Sequence, residues 1–189
     1  MIATRSDIVT IVKNINPFDT LESEHREDAL AWIESDAPLF RIQKPDIPPK
    51  HLVSYFAIID PVAKKILLQD HLLAQVWVPA GGHVDPDEDP AETVRRECLE
   101  ELGIKAQFLQ DHKQPIFITV TKTNGQGQHT DVSLWYVLEA SEDSQLTIEP
   151  DKFADVRWWS FDEILQTPIT AFDPQLHRFI VKMRKSFTL

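Results

Sequence analysis

Gly82 to Ile104 reads GHVDPDEDPAETVRRECLEELGI, and the rest of the chain is organised around this stretch. Glu97, Glu100 and Glu101 recur at i, i+3 and i+4, a spacing that gathers side chains only on a helix. Both helix ends are marked. Asp89 suits the N-cap, Pro90 the first helical position, and Glu92 follows Asp89 in capping-box register. Gly103 is placed to close the helix in a left-handed conformation. With about 100° of turn per residue, Ala91, Val94, Cys98 and Leu102 share an arc that faces the core. The three glutamates lie directly beside that arc, and Arg96 lies well away from them. Like charges in partly desolvated surroundings repel one another, so the stripe calls for a positive partner. A hard divalent cation takes carboxylate and carbonyl oxygens, and Mg²⁺ keeps waters and binds substrate phosphates.

A bare Glu-Glu pair is usually a solvated helix face, but this pair does not stand alone. Gly82, Glu88, Arg96, Glu97, Glu100, Glu101 and Gly103 fall into the pattern Gly-x5-Glu-x7-Arg-Glu-U-x-Glu-Glu-x-Gly-U, where U is bulky and apolar. Average residue usage puts a chance match at odds on the order of one in ten million. The stretch resembles the Nudix box. Its one departure is Cys98, where the family usually has an aliphatic residue; cysteine packs as a small hydrophobe, so the change bears on packing. The resemblance covers about residues 50–185 and is specific only over the box.

That resemblance implies an α/β fold, an α/β/α sandwich with a mixed sheet, over residues 48–189. A helical extension and a proline-rich loop, 1–47, precede it. It also implies an enzyme that uses water and a divalent metal, Mg²⁺ or Mn²⁺, to split the pyrophosphate of a nucleoside diphosphate linked to another moiety. Metal ions neutralise the diphosphate and lower the pKa of water. By the same resemblance, Glu97, Glu100 and Glu101 hold the metal, with the carbonyl of Gly81 as a further oxygen, and Glu97 or Glu100 orients or deprotonates the water. Arg96 and Glu88 are expected to support the site as an Arg–carboxylate fork, with Gly82 in the turn beside them. Many relatives carry a further glutamate before a late strand that ends in Trp. Here Lys152 stands at that place, which leaves Asp151 or Glu149 to take the role, with Asp151 preferred, or the box acids to suffice.

Composition sets outer bounds. The 189 residues are 42% hydrophobic and 26% charged, ordinary for one well-buried core with an appendage. A net charge of −11 argues against a nucleic-acid polymer as partner, though not against nucleotides, since a metal attracts phosphate locally. The single cysteine fits a reducing cytoplasm. The N-terminus lacks signal-peptide features, and no apolar stretch is long enough to span a bilayer.

Hydrophobic periodicity predicts helices over 4–15 and from Asp19 or Thr20 to about Ser35, the second burying Leu21, Leu30 and Ile33. Strands are expected at 51–59, 65–69, 74–78, 104–109, 115–123, 130–138 and 155–159, and short helices at 161–166 and 174–185. Gly81 and Gly82 let the backbone turn tightly after the third strand, and 124–127 reads as a flexible turn. Arg41, Lys44 and Lys50 are candidate phosphate contacts or ordinary solvated charges. Asp131, Ser133 and Trp135 share one strand face, which serves either as a base or sugar pocket, since an aromatic plane stacks a nucleobase, or as a satisfied buried strand. His51, His71, His83 and His129 are scattered without metal-site spacing, which argues against a histidine zinc site; His83, next to Gly82, is placed either near the site or in a structural role.

Two substrate classes fit the family resemblance: ADP-ribose or a nucleotide sugar, and a (deoxy)nucleoside triphosphate. The N-terminal extension suits either roofing a larger substrate or a homodimer contact. An isopentenyl-diphosphate isomerase-like enzyme would lean on a catalytic cysteine and altered box acids. A non-catalytic nucleotide sensor would lack some of those acids. The box here is intact.

Overall fold

The computed structural model describes residues 3–43, 47–123, 128–147 and 153–189. Helices α1 (Arg5–Asn14) and α2 (Thr20–Glu34) are followed by strands β1 (Lys50–Asp60), β2 (Lys65–His71), β3 (Val76–Val78) and β4 (Ala80–His83). Then come α3 (Pro90–Leu102), β5 (Phe117–Lys122), β6 (Thr130–Glu139), β7 (Phe153–Ser160), α4 (Phe161–Gln166) and α5 (Leu176–Phe187). The fold is α/β with a helical N-terminal segment, as the box and the periodicity imply.

The chain forms two compact units. The first comprises Met1–Tyr55, Gly81–Val94 and Lys113–Tyr136. Here α1 packs on α2, and α2 on β5. Thr4 caps α1 with a full capping box, and Asp19 caps α2 by accepting from the Glu22 N–H. The buried side of α2 departs from the expected one in part: Ile33 is buried and Leu30 half-buried, but Leu21 is exposed, and Glu22 and Ala29 are buried. Glu22 is drawn inward because its carboxylate accepts from the Phe18 N–H at 2.6 Å and from Ile118 N–H of β5 at 3.3 Å. Those bonds and the positive helix N-terminus offset the cost of burying a charge. β5 and β6 pair antiparallel, Thr119 opposite Ser133.

The second unit comprises Phe56–Ala80, Arg95–His112 and Val137–Leu189. β2 pairs antiparallel with β1, β3 and β7. Asp60 ends β1 and shapes the turn into β2. Its Oδ1 accepts from the Val62 and Ala63 N–H groups, and its Oδ2 from Glu142 N–H. Strand β6 runs parallel to β1, since Thr130 N–H donates to Pro49 O near one end and Ala140 N–H to Ile59 O at the other. The sheet is therefore mixed.

Two expectations fail locally. Residues 104–109 form no strand; apart from a single bridge between Phe108 and Leu138, the chain turns through a 3-10 turn at Leu109–Asp111. Gly81 and Gly82, expected in a tight turn, lie instead in the short strand Ala80–His83, which pairs with β1. The expected turn at 124–127 lies outside the described residues.

Candidate active site

α3 begins and ends where its sequence requires. The Asp89 carboxylate accepts from Ala91 N–H at 2.8 Å, capping the first turn just before Pro90. At the other end Gly103 has φ +68° and donates its N–H to Leu99 O. A β-carbon at Gly103 would come within 2.9 Å of Thr147 Cβ, so both torsion and space favour glycine. Val94, Cys98 and Leu102 are fully buried, as the helical wheel requires.

The three box acids belong to the second unit. Glu101 is 2% and Glu97 9% exposed, while Glu100 faces solvent. Arg96 is not remote from them. Its Nη1 donates to Glu97 Oε1 at 2.6 Å and to Glu100 Oε2 at 3.4 Å. A helical wheel gives only the direction of Cα–Cβ, whereas a guanidinium on a long stem reaches back across the helix surface and forms an i,i+4 pair. The arrangement concentrates hard carboxylate oxygens along one helix edge, two of the three groups nearly withdrawn from water. That donor chemistry fits Mg²⁺ or Mn²⁺. Cys98 is a poor nucleophile: burial first, and then the charge of Glu101, push its thiol up to about 12. This removes the feature that the isomerase reading needs.

Gly81, Gly82 and Glu88 belong to the first unit. A β-carbon on Gly81 would sit 2.4 Å from Tyr55 Cδ1 and 2.8 Å from Ser54 O, so this glycine lets β4 lie directly on β1. Glu88 Oε2 accepts from Thr93 Oγ1 at 2.7 Å and from Asp85 N–H at 3.2 Å, which ties the loop before α3 to the helix's first turn. Ser54 Oγ donates to Pro90 O at 2.9 Å, holding the helix start against β1.

The remaining expected site residues divide. Lys50 donates to Asp28 at 2.7 Å and lies 5.3 Å from the Trp32 ring centroid, so its charge is engaged by α2. Trp135 has no exposed surface. Its indole N–H donates to Thr119 Oγ1 at 3.0 Å and its ring packs edge-on against Tyr55 and Phe117. A ring without accessible surface offers no plane to a base, so Trp135 is a core residue. Arg41 is half-buried, and its charge acts on His83. Lys44, Glu149, Asp151 and Lys152 lie outside the described residues.

The structure gathers a group that sequence spacing missed. One ligand atom each from His51, His83, His129 and Asp131 lie within 4.8 Å of one another. These residues come from β1, the end of β4, and the start of β6 with the residue before it, so no local spacing could have announced them. The His51 ring lies 4.7 Å from His83 and 4.9 Å from His129, centroid to centroid. Burial, then the charges of Arg41 and His51, push His83 down to about 3. For Asp131 burial acts upward, but the neighbouring histidines, His129 foremost, outweigh it and hold the carboxyl at about 2.

Comparison with known proteins bears on the family and the fold. The NUDIX domain sequence profile matches residues 50–180. The chain is 30% identical over 111 residues to a CTP pyrophosphohydrolase of Escherichia coli (strain K12), covering 57% of this chain and 73% of that protein. In fold it resembles an Ap4A hydrolase binary complex of C. elegans, with TM-score 0.56 and 16% identity over 72% of this chain and 97% of that one. It also resembles the NUDIX domain of Shewanella oneidensis NrtR complexed with ADP ribose, with TM-score 0.56 and 17% identity over 81% and 91% of the two chains. With an intact box on a correctly capped helix and a profile match across most of its length, this chain belongs to the Nudix hydrolase family.

Proposed function

We propose that this protein is a divalent-metal-dependent pyrophosphohydrolase whose substrate is a nucleoside diphosphate linked to another moiety, of the ADP-ribose or nucleotide-sugar type. The observation that carries the reading is the glutamate edge of α3, with Glu97 and Glu101 nearly buried and Glu100 open to solvent. A bound Mg²⁺ or Mn²⁺ would neutralise phosphate charge and acidify water. Glu97, Glu100 and Glu101, with the Gly81 carbonyl, are the residues that would hold it. Arg96, bonded to Glu97 and Glu100, fixes their rotamers before the ion arrives. Glu88, through Thr93, steadies the loop that leads into the helix. Glu97 or Glu100 orients the attacking water or takes its proton. Asp151 is the proposed additional acid and Arg41 the proposed phosphate contact. The reducing setting suggested by one buried cysteine supports a cytoplasmic location.

A second reading, a nucleoside triphosphate pyrophosphohydrolase, is favoured by the name of the Escherichia coli relative. One experiment separates the two. The protein is incubated with Mg²⁺ and a panel of ADP-ribose, nucleotide sugars, dinucleotide polyphosphates and (deoxy)nucleoside triphosphates, and products are read by phosphorus NMR. A nucleoside monophosphate with a phosphorylated second moiety supports the first reading. A monophosphate with inorganic pyrophosphate supports the second. Release of free base, or of a nucleoside that keeps all of its phosphates, would refute both.

A further inference from the structure

We propose that His51, His83, His129 and Asp131 form a second metal site, for a first-row transition ion of the Zn²⁺ class, with a donor set separate from the glutamates of α3. Three imidazole nitrogens and one carboxylate oxygen suit such an ion rather than Mg²⁺, which prefers all-oxygen shells. The argument starts with where the ring protons go. His51 Nδ1 lies 2.8 Å from the Pro48 carbonyl, which can only accept, so Nδ1 carries a proton and in the neutral ring Nε2 presents a lone pair. His129 Nδ1 lies 3.2 Å from Thr123 Oγ1. That hydroxyl gives its own proton to the His129 carbonyl and accepts from the His129 N–H, so toward the ring it acts as an acceptor, and Nε2 of His129 is again left with a lone pair.

Both Nε2 atoms lie near the same carboxylate oxygen. Asp131 Oδ1 lies 3.4 Å from His51 Nε2 and 3.2 Å from His129 Nε2. His51 Nε2 and Asp131 Oδ1 are buried atoms with no hydrogen-bond partner among the described residues. Neutral rings and a carboxylate converging in a nearly dry space repel one another unless protons or a metal cation join them; protons on the rings lower the Asp131 carboxyl, and a bound metal ion would take their place. Tetrahedral bonds of about 2.0–2.1 Å place ligand atoms about 3.3 Å apart, which matches both separations. His83 supplies the third ring, within the same 4.8 Å group. The Pro48 carbonyl and the Thr123 hydroxyl play the part that second partners play at metal-bound histidines, fixing tautomer and ring orientation. The side chains of His129 and Asp131 are 17% and 14% exposed, which leaves a way in for an ion.

The test is spectroscopic and does not depend on turnover. The protein, stripped with a chelator, is titrated with Co²⁺, and the visible ligand-field bands of tetrahedral coordination are followed; Zn²⁺ is then added as competitor. The expected result is one equivalent of tetrahedral Co²⁺, displaced by Zn²⁺. Affinity should fall at least 100-fold in His129→Ala and Asp131→Asn, and about tenfold in Thr123→Val. Glu100→Gln should leave the bands unchanged. If the first two variants fail to fold by near-ultraviolet circular dichroism, the parent spectrum and Thr123→Val decide. Bands that vanish in Glu100→Gln but survive in His129→Ala would overturn the proposal and place the ion on α3. Absence of tetrahedral bands in the folded parent would overturn it too, leaving protons to join the four side chains.

Discussion

Gly81→Ala tests whether β4 is seated by space rather than by torsion. The added β-carbon would meet Tyr55 Cδ1 at 2.4 Å and the Ser54 carbonyl oxygen at 2.8 Å, both far inside ordinary contact. Tyr55 cannot simply swing aside, because its ring stands edge-on, at 5.0 Å, against the fully buried Trp135. The Ser54 oxygen belongs to the β1 backbone and has no rotamer to change. Overpacking against such neighbours costs about 1–3 kcal/mol. For a chain of this length each kcal/mol lowers the melting temperature by about 2–4 °C, so the expected fall is roughly 2–12 °C. Thermal unfolding followed by circular dichroism measures it. Tyr55→Leu in the same background should recover only part of the loss, since the carbonyl contact remains. A Gly81→Ala protein melting within about 1 °C of the parent would show that β4 can lift from β1 at no cost, and the packing argument would be wrong.

Other outcomes concern the proposed chemistry and acid stability. Glu97→Gln, Glu100→Gln and Glu101→Gln should each lower turnover by orders of magnitude while circular dichroism stays native; a Glu100→Gln enzyme at near-parent rate contradicts the assignment. EDTA should abolish hydrolysis, and Mg²⁺ or Mn²⁺ should restore it, whereas activity that survives exhaustive chelation counts against a metal-dependent mechanism. Asp60 links folding to pH. The Ala63 N–H above all, then those of Glu142 and Val62, hold its carboxyl below the usual value against the opposing effect of burial. Its folded pKa being depressed, the contribution is present above the ordinary carboxylate range and is lost as pH falls through the folded value. Asp60→Asn should therefore lower stability at neutral pH and flatten the acid limb in denaturant titrations at stepped pH. An acid limb identical to the parent's would refute the linkage.

How much was legible in advance follows from the range of the interactions involved. The α3 helix, its Asp89 cap, its Gly103 stop and its buried Val94, Cys98 and Leu102 all depend on residues within a turn or so of one another, and local spacing records such contacts directly. The same holds for α1, α2 and the alternating strands. Failures begin where a side chain answers to something distant or simply reaches far. Glu22 turned inward because β5 offers it the Ile118 N–H. Trp135 lost its candidate binding role because Thr119 across the β5–β6 pair satisfies its indole and the core closes over it. Arg96 met the acids through a long stem that a wheel diagram does not draw.

The family, the capped acidic helix and the identity of its carboxylates could be read from the residues alone, because a motif on one helix has its geometry written into its spacing. That His51, His83 and His129, far apart along the chain, gather around Asp131 emerges only once the strands are paired. Strand pairing sets that meeting, and pairing depends on register between segments that share no local period. Chemistry carried on one element can be read from the chain, whereas chemistry assembled from several strands waits for the fold.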